Sequence, residues 1–227
     1  MVTGAPAVVP PPPVVRSTFG RSVQGRPLRV VRVGPRNAKV RVLVVGCIHG
    51  NETAGTPVVR RLERARPPRG TALWLVPSLN PDGQALGTRH DARGVDLNRN
   101  FPAAWRPLGP PGSVYYAGPR AGSEPETRAM ERLVRRVQPS ASVWYHQHLG
   151  LVYHQGGSRP GLIRGYARRV GLRVAPSPNY PGTVIRWENR VVRRSTAWVV
   201  ELKAGPLSGG GVTRHARAVL AVARALR

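Results

Sequence analysis

Two side chains able to bind a metal lie three positions apart in the segment CIHGNETAG, residues 47–55. His49 and Glu52 follow a Val-rich run that predicts a β-strand, which places both at the strand's carboxyl end. Imidazole nitrogen and carboxylate oxygen suit zinc, and catalytic zinc sites combine three such protein ligands with one open position. The motif alone is common by chance, so a surface turn capped by Asn51 and Glu52 is the alternative.

A third ligand has to come from another element of the fold. The segment VWYHQHL, residues 143–149, ends a predicted strand with His146 and His148. Side chains two positions apart on a strand point to the same face, so either histidine can reach the metal. A lone strand histidine is more often a core residue, whereas two at one strand end favour a site.

The segment RGVDLNRNFP, residues 93–102, concentrates polar side chains inside a long irregular stretch. Asp96 can accept the second ring N–H of a metal-bound histidine and so fix its tautomer. Asn98 and Arg99 can hold a carboxylate, the arginine through its planar fork of donors. The alternative is an Asx-turn followed by a solvated arginine.

Glu201 lies among apolar residues in WVVELKAG, residues 198–205. A carboxylate in such a strand is costly unless it is paired or lies close to a metal. Near a metal, it suits a general base that takes a proton from water. The alternative is an edge-strand glutamate that faces solvent beside Lys203.

The hydrophobic pattern predicts strands that alternate with helices. Val-rich or aromatic runs bounded by Gly and Pro predict strands, and apolar residues at helical spacing predict helices. The predicted strands span residues 27–34, 40–47, 71–78, 141–149 and 195–202; the predicted helices span residues 56–66, 126–138, 161–171 and 212–226. Ser123 and Glu126 predict a capping box for the second helix, and residues 79–122 predict a long functional loop. This alternation predicts an α/β fold with a mixed, mostly parallel sheet and helices on both faces.

The length of 227 residues and a hydrophobic fraction of 41% predict one globular domain. Residues 1–15 are Pro-rich and predict a flexible lead, which leaves residues 16–227 as the domain. This lead lacks the pattern of a signal peptide, so we expect a cytoplasmic protein if the sequence is complete, and an extracellular or periplasmic one if a signal peptide was removed. The single cysteine, Cys47, excludes a disulfide framework within the chain.

The net charge is +26, from 36 basic and 10 acidic residues. Such a charge favours an anionic partner such as nucleic acid, a membrane surface or a cell-wall polymer. Only Lys39 and Lys203 are lysines. An arginine excess of this kind, with abundant Ala, Gly, Pro and Val, is also typical of a GC-rich genome, and the sequence leaves both interpretations open.

Five short motifs together resemble the zinc carboxypeptidase A-like family, and within it the bacterial murein peptide amidase branch. In chain order they are HGNE (49–52), NPDG (80–83), RGVDLNRNFP (93–102), GSEPET (122–127) and VVEL (199–202). The resemblance spans most of the chain and implies a zinc metallopeptidase. Each motif is short, and the specificity lies in their common order.

The resemblance implies that one zinc ion is bound by His49, Glu52 and a downstream histidine. His146 is the better match for that histidine, because its spacing from Leu149 is similar to the family's H-x-x-L pattern. Asp96 would accept a hydrogen bond from the ring nitrogen of His49 that does not bind the metal.

The resemblance also implies roles for the residues that act on substrate. Glu201 would be the general base, and Arg89 would polarise the scissile carbonyl. Asn98 and Arg99 would hold the free carboxylate of the substrate, and Tyr180 would be the mobile tyrosine near it. The implied substrate is a peptidoglycan-derived peptide, cleaved between γ-D-glutamate and meso-diaminopimelate.

Two other functions remain as alternatives. A deacylase similar to aspartoacylase or succinylglutamate desuccinylase shares HGNE-like and DLNR-like elements, but the NPDG and GSEPET motifs argue against it. A basic, non-catalytic protein that binds nucleic acid or a wall polymer would use the high charge. The sequence contains no recognisable nucleic-acid motif and only 6% aromatic residues, so we expect no specific nucleic-acid partner. It predicts no membrane span and leaves the oligomeric state open.

Overall fold

A seven-stranded sheet with helices on both faces forms the protein in the computed structural model, which describes residues 10–227. The strands are β1 Val14–Arg21, β2 Pro27–Val33, β3 Val40–Val45, β4 Thr71–Val76, β5 Ala141–His154, β6 Arg173–Pro176 and β7 Ala197–Lys203. The helices are α1 Thr56–Leu62, α2 Pro81–Leu86, α3 Pro125–Val137, α4 Pro160–Val170, α5 Val184–Val191 and α6 Gly209–Ala225, with a 3-10 turn at Leu97–Arg99. No helix among residues 10–227 is long and apolar enough to cross a membrane.

The sheet order is β1-β2-β4-β3-β5-β6, and β7 also pairs with β5. Strands β1, β2 and β4 are joined by antiparallel pairing, whereas β4, β3 and β5 run parallel. The first half of β5 runs parallel to β7, with His146 opposite Glu201. The register then reverses, so that Leu151 also lies opposite Glu201 and His154 lies opposite Trp198. The predicted mixed, mostly parallel α/β fold is confirmed.

Two hydrophobic cores flank the sheet and explain its continuous apolar strands. In β3, Val42 and Val44 pack in the core that contains α1, α4 and α6. Their neighbours Leu43 and Val45 pack in the opposite core, which contains α3 and α5. Strands buried on both faces lack polar–apolar alternation, which is why β3 reads as an unbroken Val-rich run.

The predicted strands and helices are all present, with ends that differ by a few residues. The sequence pattern did not predict β1, β6 and α5. The first is a largely exposed edge strand, the second has 4 residues, and the third is a short helix without a side-chain cap, so each carries a weak local signal. Residues 1–9 of the predicted lead lie outside the described residues, and Val14 and Val15 already belong to β1.

The predicted capping box at Ser123 and Glu126 is wrong. Helix α3 begins at Pro125 with Glu124 as its N-cap, since proline is well suited to the first helical position. The hydroxyl of Ser123 donates to Glu124 Oε1 at 2.7 Å, and Glu126 Oε1 accepts from the backbone N–H of Val23 at 2.9 Å. The Ser123 hydroxyl also accepts from Asn100 Nδ2 at 2.8 Å. Both side chains therefore make tertiary contacts instead of capping the helix.

The segment 79–122, predicted as a loop, contains α2 and the 3-10 turn. Asn80 caps α2 by accepting from the backbone N–H of Gly83 at 2.8 Å. Asp96 caps the 3-10 turn by accepting from the backbone N–H of Asn98 at 2.9 Å. These short elements fix the polar segment against the sheet edge where the predicted ligands lie.

Candidate metal centre and active site

The predicted metal ligands meet at one edge of the sheet. His49 and Glu52 lie just beyond the carboxyl end of β3, and His146 lies on β5, which runs parallel to β3. Carboxyl ends of parallel strands share one edge, which is where α/β proteins commonly bind ligands. Glu201 lies on β7 directly opposite His146 in the strand register.

The ligand atoms of His49, Glu52 and His146 lie within 4.8 Å of one another. His49 Nδ1 lies 2.9 Å from Glu52 Oε1, and His146 Nδ1 lies 3.1 Å from Glu52 Oε2. The two Nδ1 atoms are 3.2 Å apart. Tetrahedral ligands at zinc–nitrogen distances of about 2.0–2.1 Å are about 3.3 Å from each other. The spacing and chemistry of these donors therefore fit zinc.

Asp96 orients the first of these ligands from behind. Its Oδ1 lies 3.0 Å from His49 Nε2, which leaves Nδ1 on the side of the metal cluster. Its Oδ2 accepts from Arg89 Nη2 at 2.8 Å and from Arg89 Nε at 3.2 Å. Burial alone would raise the pKa of Asp96, but the positive charges of His49 and Arg89 outweigh burial and hold that pKa well below its usual range. Asp96 therefore stays ionised and can fix the His49 tautomer.

Glu201 has a free carboxylate oxygen next to the cluster. Its Oε2 is buried and has no hydrogen-bond partner among the described residues. Glu201 lines a cavity of about 410 Å³ together with His49, Glu52 and His146. An unpartnered carboxylate oxygen beside a metal cluster is available to accept a proton.

Arg89 is held between two carboxylates. Besides its contacts with Asp96, its Nη1 donates to Glu52 Oε1 at 3.0 Å. The guanidinium lines the same cavity. It is therefore anchored beside the metal cluster, with a positive charge in reach of a group bound there.

Arg99 lies under two tyrosine rings at the other side of the cavity. Its guanidinium carbon is 4.3 Å from the ring centre of Tyr180 and 5.0 Å from that of Tyr115. The two rings stack on each other with centres 5.7 Å apart. Arg99 Nε is buried without a hydrogen-bond partner in the described part of the chain. Asn98, whose Oδ1 accepts from the backbone N–H of Val184 at 3.0 Å, lies beside Arg99 in the cavity wall.

Gly182 docks the Tyr180 loop onto the Arg99 turn. Its φ is +67°, and a Cβ at this position would lie 1.9 Å from the carbonyl oxygen of Arg99. The backbone N–H of Phe101 donates to the Gly182 carbonyl at 3.0 Å. Only glycine allows this close approach, which brings the Tyr180 loop against Arg99.

His148 does not join the metal cluster. It is exposed, whereas His146 has only 3% of its surface exposed and belongs to the cluster. His148 still lines the outer part of the cavity. His148 is the last residue of the regular pairing of β5 with β7, whereas His146 lies two positions further inside it.

Two further residues at this site were not predicted from the sequence. Tyr115 covers Arg99, and its ring centre also lies 5.9 Å from the guanidinium carbon of Arg89. Gln147 donates its backbone N–H to Glu52 Oε2 at 3.1 Å. The available signal for Tyr115 was the aromatic pair at 115–116 within a Gly- and Pro-rich segment.

An α/β sheet whose edge joins two imidazoles, a carboxylate and a separate free carboxylate defines a metal-dependent hydrolase. The chain belongs to the zinc carboxypeptidase family, whose model matches residues 11–181. The enzyme class and family predicted from the sequence are thereby confirmed.

Among its relatives are bacterial murein peptide amidases. The chain is 32% identical over 180 residues to murein peptide amidase A of Escherichia coli strain K12, covering 74% of each chain. It is 28% identical over 223 residues to murein peptide amidase A of Vibrio campbellii, covering 92% of this chain and 87% of the relative.

Solved structures show the same likeness. The murein-tripeptide amidase of Escherichia coli O157 superposes with a TM-score of 0.69 at 27% identity, covering 93% of this chain and 91% of that one. Carboxypeptidase A of Helicoverpa armigera gives a TM-score of 0.77 at 16% identity, covering 93% of this chain and 69% of that one. The second comparison concerns the fold alone.

Proposed function

We propose that this protein is a zinc-dependent amidase that cleaves an amide bond next to a free carboxylate in murein-derived peptides, between γ-D-glutamate and meso-diaminopimelate. The observation that carries the proposal is the likeness to murein peptide amidases over most of the chain. The cavity adds support, because Glu201, Arg89 and Arg99 line it together with the metal cluster.

His49, Glu52 and His146 would hold one zinc ion. When bound, zinc polarises a carbonyl and lowers the pKa of a water molecule. Asp96 would keep His49 in the tautomer whose Nδ1 faces the ion, because it holds the opposite ring nitrogen at 3.0 Å.

Glu201 would act as general base and then as general acid. Its free Oε2 would take the proton from the attacking water and later give it to the leaving amine. Arg89 would stabilise the negative charge that develops on the scissile carbonyl oxygen, since its guanidinium is already fixed at the cavity wall.

Arg99 and Asn98 would bind the free carboxylate of the substrate. The unpartnered Nε of Arg99 is a buried donor that a carboxylate can satisfy. Tyr180 would close the same side, since its ring covers Arg99 at 4.3 Å. This clamp would place the adjacent amide bond over the metal cluster and so restrict cleavage to it.

The test is a comparison of substrates with the zinc-loaded protein. We expect hydrolysis of L-Ala-γ-D-Glu-diaminopimelate, and no more than slow hydrolysis of ordinary peptides at their C-terminus. Glu201→Gln serves as the matched inactive control, since it keeps the side-chain shape. Cleavage of ordinary C-terminal peptides alone refutes the murein substrate, and release of acetate or succinate from N-acyl amino acids refutes it in favour of a deacylase.

A further inference from the structure

A second group of acidic side chains lies outside the cavity that holds the zinc ligands. Asp91, Glu124 and Glu126 each place a carboxylate oxygen within 4.8 Å of the other two. They are almost fully buried, with 4%, 1% and 0% of their surface exposed. Three carboxyl groups are seldom buried together unless something compensates their charge.

In both Asp91 and Glu126, one carboxylate oxygen accepts hydrogen bonds and the other has no partner among the described residues. Asp91 Oδ1 accepts from the backbone N–H groups of Arg93 and Val95, both at 2.9 Å. Glu126 Oε1 accepts from the backbone N–H of Val23 at 2.9 Å. Asp91 Oδ2 and Glu126 Oε2 are buried and have no hydrogen-bond partner among the described residues. Buried polar atoms of this kind call for a partner, which can be a proton on a neighbouring carboxyl group, an ordered water or an ion.

The charges within the group are not balanced by its visible contacts. Glu124 Oε2 lies 3.4 Å from Arg93 Nη1, and Glu124 Oε1 accepts from the hydroxyl of Ser123 at 2.7 Å. One guanidinium set against three carboxylates leaves two formal negative charges. Burial, and then the charge of neighbouring acids, raise the pKa of Asp91 and of Glu126. The ionised group is therefore unfavourable without a further positive charge.

We propose that Asp91, Glu124 and Glu126 form a second metal site that binds a hard divalent cation, with Ca²⁺ as the best fit. An all-oxygen donor set selects Ca²⁺ or Mg²⁺, in contrast to the two imidazoles of the zinc cluster. Magnesium usually keeps several water ligands and is held by only one or two carboxylates, whereas calcium accepts several carboxylates in a flexible geometry. Three carboxylates therefore favour Ca²⁺.

One of the three carboxylates, Glu124, borders a depression of the surface from which water can reach it. A surface depression of about 420 Å³ is lined by Arg93, Ser123 and Glu124, among others. Calcium takes six to eight oxygen ligands, so water from this side would complete the coordination that three carboxylates begin.

The cation would join three separate parts of the chain. Glu126 is hydrogen-bonded to the backbone N–H of Val23, and Asp91 lies two residues after Arg89. Glu124 occupies the N-cap position of helix α3. The Asp91 segment is also closed on itself, since its backbone N–H donates to the Val95 carbonyl at 3.1 Å. Cation binding would therefore stabilise the conformation of the segment from Arg89 to Asp96, whose two end residues contact the zinc ligands Glu52 and His49.

The experiment measures thermal unfolding of the zinc-loaded protein in calcium-free buffer and with added CaCl₂ or MgCl₂, with zinc content determined alongside. At a free Ca²⁺ concentration of about 100 times Kd we expect the Tm to rise by about 5–10 °C. Glu126→Gln and Asp91→Asn should abolish most of this rise while keeping their zinc. Glu63→Gln, which removes a carboxylate paired with Arg16 on the surface, should respond to Ca²⁺ as the wild type does.

Two results would overturn the proposal. One is a wild-type Tm that does not respond to Ca²⁺ or Mg²⁺ at 10 mM. If Asp91→Asn then raises the Tm, protons rather than a cation hold the carboxyl groups together. The other is an equal response of wild type and Asp91→Asn, because the cation would then bind elsewhere. If Glu126→Gln does not fold, Asp91→Asn alone decides, since asparagine keeps the oxygen that accepts from Arg93 and Val95. Both results are independent of whether the murein substrate is correct.

Discussion

The carboxylate of Asp96 holds the guanidinium of Arg89 through two donors, Nη2 at 2.8 Å and Nε at 3.2 Å. The same carboxylate contacts His49 Nε2 at 3.0 Å. One buried acid therefore sets the orientation of a predicted zinc ligand and of a predicted catalytic arginine. A change at Asp96 is expected to act on both.

Asp96→Asn should weaken zinc binding by about 10–100-fold, the usual effect of removing a carboxylate behind a histidine ligand. The amide keeps the size of the side chain but loses the charge that fixes His49 and Arg89. Competition with a chromophoric chelator measures the affinity. Unchanged zinc affinity would show that Asp96 is not needed to orient His49.

His146→Ala should lose stoichiometric zinc, whereas His148→Ala should retain it. The reason is position, since His146 Nδ1 lies 3.1 Å from Glu52 Oε2 and His148 is exposed outside the cluster. Metal analysis of both purified variants makes the comparison. If only His148→Ala lost zinc, the third ligand would be His148 and the assignment to His146 would be wrong.

Glu201→Gln should lower kcat by about 10²–10⁴-fold, the typical contribution of a positioned general base. Zinc content should stay at the wild-type level, because Glu201 is not part of the three-residue metal cluster. The kinetics are measured on the murein tripeptide. Near-normal kcat in a zinc-loaded variant would remove Glu201 from the mechanism.

Gly182→Ala should destabilise the fold more than Gly171→Ala does. Both glycines have φ near +70°, but a Cβ at Gly171 meets nothing within 4 Å, whereas one at Gly182 meets Arg99 at 1.9 Å. The shared backbone strain costs about 1–2 kcal/mol, and the clash at Gly182 adds about 1–3 kcal/mol. Urea unfolding of the two variants separates these contributions. An equal decrease in the free energy of unfolding for both variants would mean that the Tyr180 loop can move away from Arg99 without destabilising the fold.

His215 should make stability depend on pH below neutrality. Burial, with a smaller contribution from Arg214, lowers the pKa of His215 to about 4 in the folded protein. The unfolded chain, with a pKa near 6.5, binds more protons between these values, so stability is full above about pH 6.5 and falls as the pH drops toward 4. Across this range the free energy of unfolding should fall by on the order of 3 kcal/mol.

The variant His215→Gln should show a smaller loss over the same pH range. His148→Gln is the matched control, because its ring is exposed and should leave the wild-type pH dependence intact. Urea unfolding at several pH values, with each variant compared with the wild type, isolates the contribution of His215. Parallel curves for wild type and His215→Gln would contradict this assignment.

The sequence by itself determined most of the strands, most of the helices and many of the polar residues that line the site. Val-rich strands, helical spacing and breakers such as Pro67 and Pro139 are local signals, because they arise from backbone geometry and burial within a few residues. His49, Glu52 and Glu201 were visible because polar residues follow or interrupt apolar runs. Asp96 and Arg99 were visible because polar residues are concentrated in one irregular segment.

The tertiary structure alone decided the relations between segments far apart in the chain. Strand periodicity treats His146 and His148 alike, and only the packing around the end of the β5–β7 pairing leaves one buried and the other exposed. The stacking of Tyr115 on Tyr180, 65 positions away, has no local signature. The meeting of Asp91 with Glu124 and Glu126 likewise depends on how the loop docks onto α3. Local sequence sets the conformation of each element, whereas these contacts depend on packing between elements.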